Sequence, residues 1–214
     1  MPDFQVRSDQ LFLCFGDSIT DCGRRGLNAP LGTGYVSLFK EMVTARHPES
    51  AMRYLNRGIS GDTVIELRNR LAEDVLAEQP DWLTILIGIN DLGHHVVQKP
   101  TIVPPDLYEN TYREILRRVR EETRARVVLM EPFFLSHETD RETVPGKMAA
   151  LLPEYLAVVK KMAQEFQTLH VLLQAVFEKH LKRRSFSEFA PEPVHPARPG
   201  HMVIAQALYD ILCR

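Results

Sequence analysis

Five short apolar runs, each bounded by turn-forming residues and separated by stretches of helical spacing, limit what this chain can fold into more than any other feature. The runs are Leu11 to Phe15, Met52 to Leu55, Trp82 to Ile87, Val127 to Met130 and His170 to Leu173. Between them, apolar residues recur at helical intervals over Tyr35 to Arg46, Val64 to Glu78, Leu107 to Thr123, Met148 to Gln167 and Val176 to Leu181, and a last such stretch covers His201 to Leu212. Short strands that alternate with helices bury both sheet faces by forming a parallel sheet with helices on either side. The carboxyl ends of such strands lie along one edge, where the loops converge and ligands bind. Two longer connections, Gly93 to Pro105 and Pro132 to Gly146, leave from strand ends and read as loops lining that cleft.

Length and charge narrow the function classes. At 214 residues, with no internal repeat, low-complexity tract or linker, the chain reads as a single domain over 1–214. Its 26 Lys and Arg are interspersed with 28 Asp and Glu for a formal net charge of -2, so no footprint for a nucleic acid is present. The basic runs Arg24-Arg25, Arg117-Arg118 and Lys182-Arg183-Arg184 read as solvated faces. Three cysteines, Cys14, Cys22 and Cys213, leave at least one thiol unpaired and form no CxxC, which suits a reducing cytoplasm. The start lacks a leader pattern, and no run approaches the roughly 18 apolar residues of a membrane span, so the expectation is a soluble cytoplasmic protein with no membrane partner.

Four segments at the expected strand ends carry residues suited to chemistry. The first strand runs into Gly16-Asp17-Ser18-Ile19-Thr20-Asp21, which sets a serine at a strand-to-helix turn with its hydroxyl toward solvent, or simply makes a turn or helix cap. Asp17 and Asp21 beside it are expected to tie the turn by hydrogen bonds. The second strand leads to Gly58-Ile59-Ser60-Gly61-Asp62-Thr63, where glycines let backbone approach a ligand and Asp62 or Thr63 could cap the next helix. After the third comes Gly88-Ile89-Asn90-Asp91, whose asparagine amide can donate to a developing oxyanion or sit in an ordinary turn. Near the C-terminus, prolines stiffen Glu192-Pro193-Val194-His195-Pro196-Ala197-Arg198-Pro199, holding a carboxylate and an imidazole three residues apart.

Singly these are weak signals; together their order and wording resemble the four sequence blocks of the SGNH (GDSL-like) hydrolases. Ser18 in GDSIT matches the nucleophile, Gly61 in GISGDT a backbone oxyanion donor, Asn90 in GIND a side-chain oxyanion donor and His195 in VHPARPGH the general base. The resemblance extends through GTGYVSL, QPDWLTILIGIND and MEPFFL, which look like a bacterial branch grouped with carbohydrate-ester deacetylases. It implies a flavodoxin-like α/β/α sandwich on a five-stranded parallel sheet and ester hydrolysis without metal, nucleotide or other cofactor. The oxyanion hole it implies comprises the backbone N–H groups of Ser18 and Gly61 and the Asn90 amide.

One position departs from the family pattern. An aspartate followed by a small residue is expected three residues before the histidine, where this chain has Glu192 and Pro193. Glutamate can be the third member of a triad if the extra methylene is absorbed; otherwise a backbone carbonyl or Glu188 would have to orient His195. His94 and His95 fall on an expected cleft loop and could touch substrate, although adjacent imidazoles suit one metal poorly. His201 reads as a capping or packing residue, His47, His137, His170 and His180 show no partner pattern, and Tyr35 and Trp82 read as core. Phe133 and Phe134 could line a pocket or the core. The expected activity is hydrolysis of small-molecule carboxylic esters with short acyl groups, an acetylated sugar being the substrate class the resemblance favours. The same machinery would serve a thioesterase or lysophospholipase, and the change at Glu192 leaves room for a weakly active glycan-binding module.

Overall fold

The computed structural model describes residues 4–136 and 138–213; His137 lies outside the described residues. Five strands, β1 (Leu11–Gly16), β2 (Arg53–Gly58), β3 (Trp82–Leu86), β4 (Arg126–Met130) and β5 (Leu169–Val171), form one sheet in the order β2-β1-β3-β4-β5. Every pairing is parallel. β1 and β3 occupy the middle and every residue of both is buried, which is why LFLCFG and WLTIL carry no polar alternation.

Among the described residues, eight α-helices connect the strands and flank the sheet. They are α1 (Ser18–Asp21), α2 (Tyr35–Arg46), α3 (Val64–Leu71), α4 (Ile89–Val96), α5 (Pro105–Glu122), α6 (Val144–Phe166), α7 (Leu173–Leu181) and α8 (Arg198–Leu212). α2 packs on α8, and α8 on α7; α3 packs on α5 and α5 on α6. The alternation of side chains along β1 serves both layers: Phe12 meets Phe39 of α2 at 4.9 Å between ring centroids, while Phe15 lies against Arg70 of α3. Trp82 and Tyr35 are fully buried, as core residues should be. Local chemistry starts the helices: Thr63 and Glu66 close a capping box on α3, Thr143 caps α6, and proline occupies the first turn of α5, α6 and α8.

Three expectations need correction. The segment from Gly93 begins inside α4, so His94 and His95 sit on a helix; with only eight residues and a glycine within it, α4 shows little periodicity to read. α6 starts at Val144, four residues before the expected Met148, because its Thr143 cap and Pro145 lie outside the apolar pattern. The helix expected to run to Glu78 widens after Leu71 into a π-turn over Ala72–Leu76. The order β2-β1-β3 reverses direction at β1, so the loops after β1 and β3 open a crevice between them at the carboxyl edge.

Candidate active site

Ser18 is the first residue of α1, directly after β1 and the capping Asp17. Asp17 accepts from the Ile19 N–H at 2.9 Å, and the turn is clamped from the side. Asn56 on β2 donates to the carbonyls of Thr20 (2.6 Å) and Leu31 (2.9 Å) and accepts from the Gly58 N–H. Asp21 accepts from both the N–H and the hydroxyl of Ser60. Gly58 must be glycine for this approach: a Cβ there would stand 2.1 Å from the Asp21 nitrogen. Asp17 and Asp21 tie the turn, as their spacing suggests.

His195 comes from the opposite end of the chain on the loop between α7 and α8. That loop is pinned by the Leu135 N–H, which donates to the Pro193 carbonyl at 2.8 Å, and by the Ala197 N–H, which donates to Phe189 at 2.7 Å. The Ser18 hydroxyl lies 2.9 Å from His195 Nε2. Glu192 Oε1 lies 2.5 Å from His195 Nδ1, and its carboxylate also accepts from the backbone N–H groups of Val194 and His195 at 2.8 and 2.7 Å. These last bonds fold the longer side chain back over its own turn, which absorbs the extra methylene. An ionised carboxylate only accepts, so Nδ1 carries the proton and Nε2 faces Ser18 with its lone pair. Glu188 is engaged elsewhere, capping the short helical turn Phe186–Glu188 and pairing with Arg184.

Gly61 adopts φ +89°, a conformation that strains any L side chain, and nothing lies within 4 Å of where its Cβ would be. Asn90 opens α4 and gives one amide hydrogen to the Asp62 carbonyl at 2.9 Å, which leaves the other free. Asn90 and His195 line one cavity of about 330 Å³ together with Ile89, His94, Val97, Lys99, Met148 and Val194. His94 thus reaches the cleft, whereas Phe133 and Phe134 are buried and Phe133 packs on Phe177 at 4.6 Å. Lys99 and Met148 carry no sequence signal for this role, because only the packing of α4 on α6 brings them there.

The electrostatics under the cleft are unusual. Burial pushes the Asp17 carboxyl up to about 7, with the Ile19 N–H opposing and the charge of Asp62 adding, and burial pushes Asp91 up to about 8 against the Val64 N–H. One carboxyl precedes Ser18 and the other follows Asn90, so both shifts lessen the negative charge beneath a site where an oxyanion would form. His201 is no second base: burial drives it down to about 4, its Nδ1 accepts from the Tyr35 N–H at 3.2 Å, and its Nε2 lies 3.5 Å from Cys22 Sγ. Among the described residues, no cluster of three or more His, Cys, Asp or Glu is arranged to hold a metal, and no helix is long and apolar enough to cross a membrane.

A parallel sheet of this order, with a Ser–His–Glu chain at the carboxyl edge, is the architecture of a serine-dependent ester hydrolase. Residues 14–203 match the model of the GDSL-like Lipase/Acylhydrolase family. An acetylxylan esterase of Geobacillus stearothermophilus is 38% identical over 212 residues, 95% of this chain and 94% of that relative. The crystal structure of Axe2, an acetylxylan esterase from Geobacillus stearothermophilus, matches with a TM-score of 0.88 at 36% identity, covering 97% of this chain and 96% of that one. LAE5, an alpha/beta hydrolase enzyme from the metagenome of Lake Arreo, Spain, matches with a TM-score of 0.88 at 31% identity over 98% of each chain. The chain belongs to the GDSL-like Lipase/Acylhydrolase family and is a carboxylic ester hydrolase with the SGNH fold.

Proposed function

We propose that the chain is one domain built around one site, a serine esterase that removes acetyl groups from xylan-type saccharides, with Ser18 as nucleophile, His195 as general base and Glu192 as its orienting acid. The observation that carries the reading is the unbroken hydrogen-bonded chain from Ser18 Oγ through His195 to Glu192, with His195 lining a cavity of about 330 Å³. That volume is at the lower end of the range of roughly 300–1,000 Å³ for small-ligand sites and suits a compact acyl group. Apolar Ile89, Val97, Met148 and Val194 face it beside polar Asn90, His94 and Lys99, which fits an acetyl methyl next to sugar hydroxyls. The related Geobacillus enzyme acts as an acetylxylan esterase, and its catalytic mutants carry alanine in place of a serine, a histidine or an aspartate. Ser18, His195 and Glu192 are the corresponding residue types here.

In the proposed cycle Ser18 Oγ attacks the acetyl carbonyl carbon as its proton passes to His195 Nε2, and Glu192 stabilises the imidazolium. The negative carbonyl oxygen is met by the backbone N–H groups of Ser18 and Gly61 and the free hydrogen of Asn90 Nδ2. Removing one such donor typically costs about 2.7–4 kcal/mol of transition-state stabilisation. The imidazolium returns its proton to the departing sugar oxygen; water, deprotonated by the same nitrogen, then attacks the acetyl carbon, and that proton passes to Ser18 Oγ as acetate leaves. No metal or organic cofactor has a part in the cycle.

The test pairs a label with a substrate panel. A fluorophosphonate should modify Ser18 in the parent and leave Ser18→Ala unlabelled. Acetate release from acetylated xylo-oligosaccharides and p-nitrophenyl acetate should exceed turnover of p-nitrophenyl octanoate and acyl-CoA by about tenfold or more in kcat/KM. Faster turnover of the octanoate or the thioester would remove the short-acyl assignment.

A further inference from the structure

We propose that Arg70, on α3 and outside the cleft, is the positioning residue that holds all three oxyanion donors in register. The proposal rests on the reading of Ser18, Gly61 and Asn90 given above. Arg70 donates through Nε to Asp62 Oδ2 at 2.7 Å, through Nη1 to the Arg57 carbonyl at 2.7 Å and to Asp74 Oδ2 at 2.6 Å, and through Nη2 to the Gly16 carbonyl at 3.0 Å. Two of these contacts, Gly16 and Asp62, are within two residues of a donor. Gly16 precedes the Asp17–Ser18 turn, Asp62 follows Gly61, and the Asp62 carbonyl accepts from Asn90 Nδ2 at 2.9 Å.

The chemistry asks for arginine. Two backbone carbonyls and two carboxylates are served at once from the three nitrogens of one planar fork, a pattern a lysine ammonium, as a single point of charge, cannot reproduce. The carbonyls of Gly16 and Arg57 lie at the ends of adjacent strands β1 and β2, so the guanidinium crosses from one to the other and then reaches the Gly61 loop. Burial makes these bonds count: side-chain exposure is 13% for Arg70 and 10% for Asp62, and the guanidinium carbon stands 4.4 Å from the centroid of the Phe15 ring. The π-turn after Leu71 belongs to the same device, since it carries Asp74 to within reach of both Arg70 and Arg57. A surface ion pair would tie side chains together; this one ties the main chains at the ends of β1 and β2 to the Asp62 carboxylate and, through the Asp62 carbonyl, to Asn90.

Double-mutant kinetics distinguish positioning from general support. Arg70→Met, assayed well below its melting temperature on p-nitrophenyl acetate, should lower kcat roughly 10–100-fold with KM within about twofold of the parent. In an Asn90→Ala background the same substitution should cost at least about threefold less than in the parent, because one of the three donors it holds is already gone. Arg70→Lys, keeping the charge at a single point, should restore part of the kcat; if Arg70→Met does not fold, Arg70→Lys and Asp62→Asn carry the same cycle. A normal loss for Asn90→Ala together with an equal Arg70 penalty in both backgrounds, or a change confined to KM, overturns the positioning role alone. An Asn90→Ala enzyme with unchanged kcat overturns the oxyanion reading itself, and this proposal with it.

Discussion

The two halves of the proposed site are built to different standards. The nucleophile side is sunk in the fold: Asp17, Thr20, Asp21 and Asn56 are buried, Asn56 bonds to main chain at both ends of its amide, Asp17 and Asp21 each accept from a backbone N–H, and Gly58 has no space for a Cβ. The histidine side stands on a loop that wraps the outside, where the His195 and Glu192 side chains are 56% and 45% exposed. Buried polar networks are costly to break and rigid when complete, whereas an exposed hydrogen-bonded pair is screened by water and adds little to stability. The oxyanion donors need fixed directions, and the imidazole must accept and return a proton while substrate comes and goes. Damage should therefore appear as lost folding on one side and as lost turnover on the other.

The largest expected effect separates the halves most sharply. His195→Ala should lower kcat/KM by about 10⁴-fold or more on p-nitrophenyl acetate while calorimetry finds a melting temperature within about 2 °C of the parent. A large drop in melting temperature would mean that the loop is part of the stability core. On the buried side, Asn56→Ala orphans two carbonyls and an N–H, and should cost about 4 kcal/mol of unfolding free energy in urea titration. A loss below about 1 kcal/mol would show that water replaces those bonds and that the turn is not rigidly held.

Next in size is the acid limb of stability. His201 is neutral when folded because its value falls to about 4 from the ordinary 6.5. The unfolded chain binds that proton more readily, so stability present above about pH 6.5 is lost as pH falls toward 4, by up to about 3 kcal/mol from this group. Asp17 and Asp91 run the other way, since their raised values cost stability as pH climbs from about 4 toward 7 or 8. Subtracting the urea-denaturation profile of His201→Gln from that of the parent isolates the histidine, and a pH-independent difference would refute its assignment as a buried neutral group. The smallest effect is expected from Glu192→Ala, about 30-fold in kcat with stability unchanged, because water shares the stabilisation of an exposed imidazolium. A loss as large as that of His195→Ala would show that substrate binding dries the pair.

Much of this was legible in the residues. Apolar runs at β1, β3 and β4 announced strands because a buried parallel strand has nothing to alternate. The four blocks named Ser18, Gly61, Asn90 and His195 in chain order, although the sheet order β2-β1-β3 puts the Gly61 loop outside the Ser18 turn. α4 was missed because eight residues containing a glycine carry too little period, and the early start of α6 because a cap and a proline do not look apolar. For Glu192 the sequence left the question open: a carboxylate three residues before an imidazole was visible, yet its fit depended on a side-chain path that curls back to the N–H groups of Val194 and His195.

Sequence alone determined the strand and helix periods, the gathering of loops along one edge and the residue types available there, since these follow from local spacing and from chirality that makes βαβ crossovers right-handed. Tertiary structure decided what no spacing encodes: that residues 18 and 195 meet across 177 positions, that Lys99 and Met148 share the cavity wall, and that Arg70 bridges the ends of β1 and β2. Hydrogen bonds act over about 3 Å in space, and distance along the chain sets no limit on them once the core has packed.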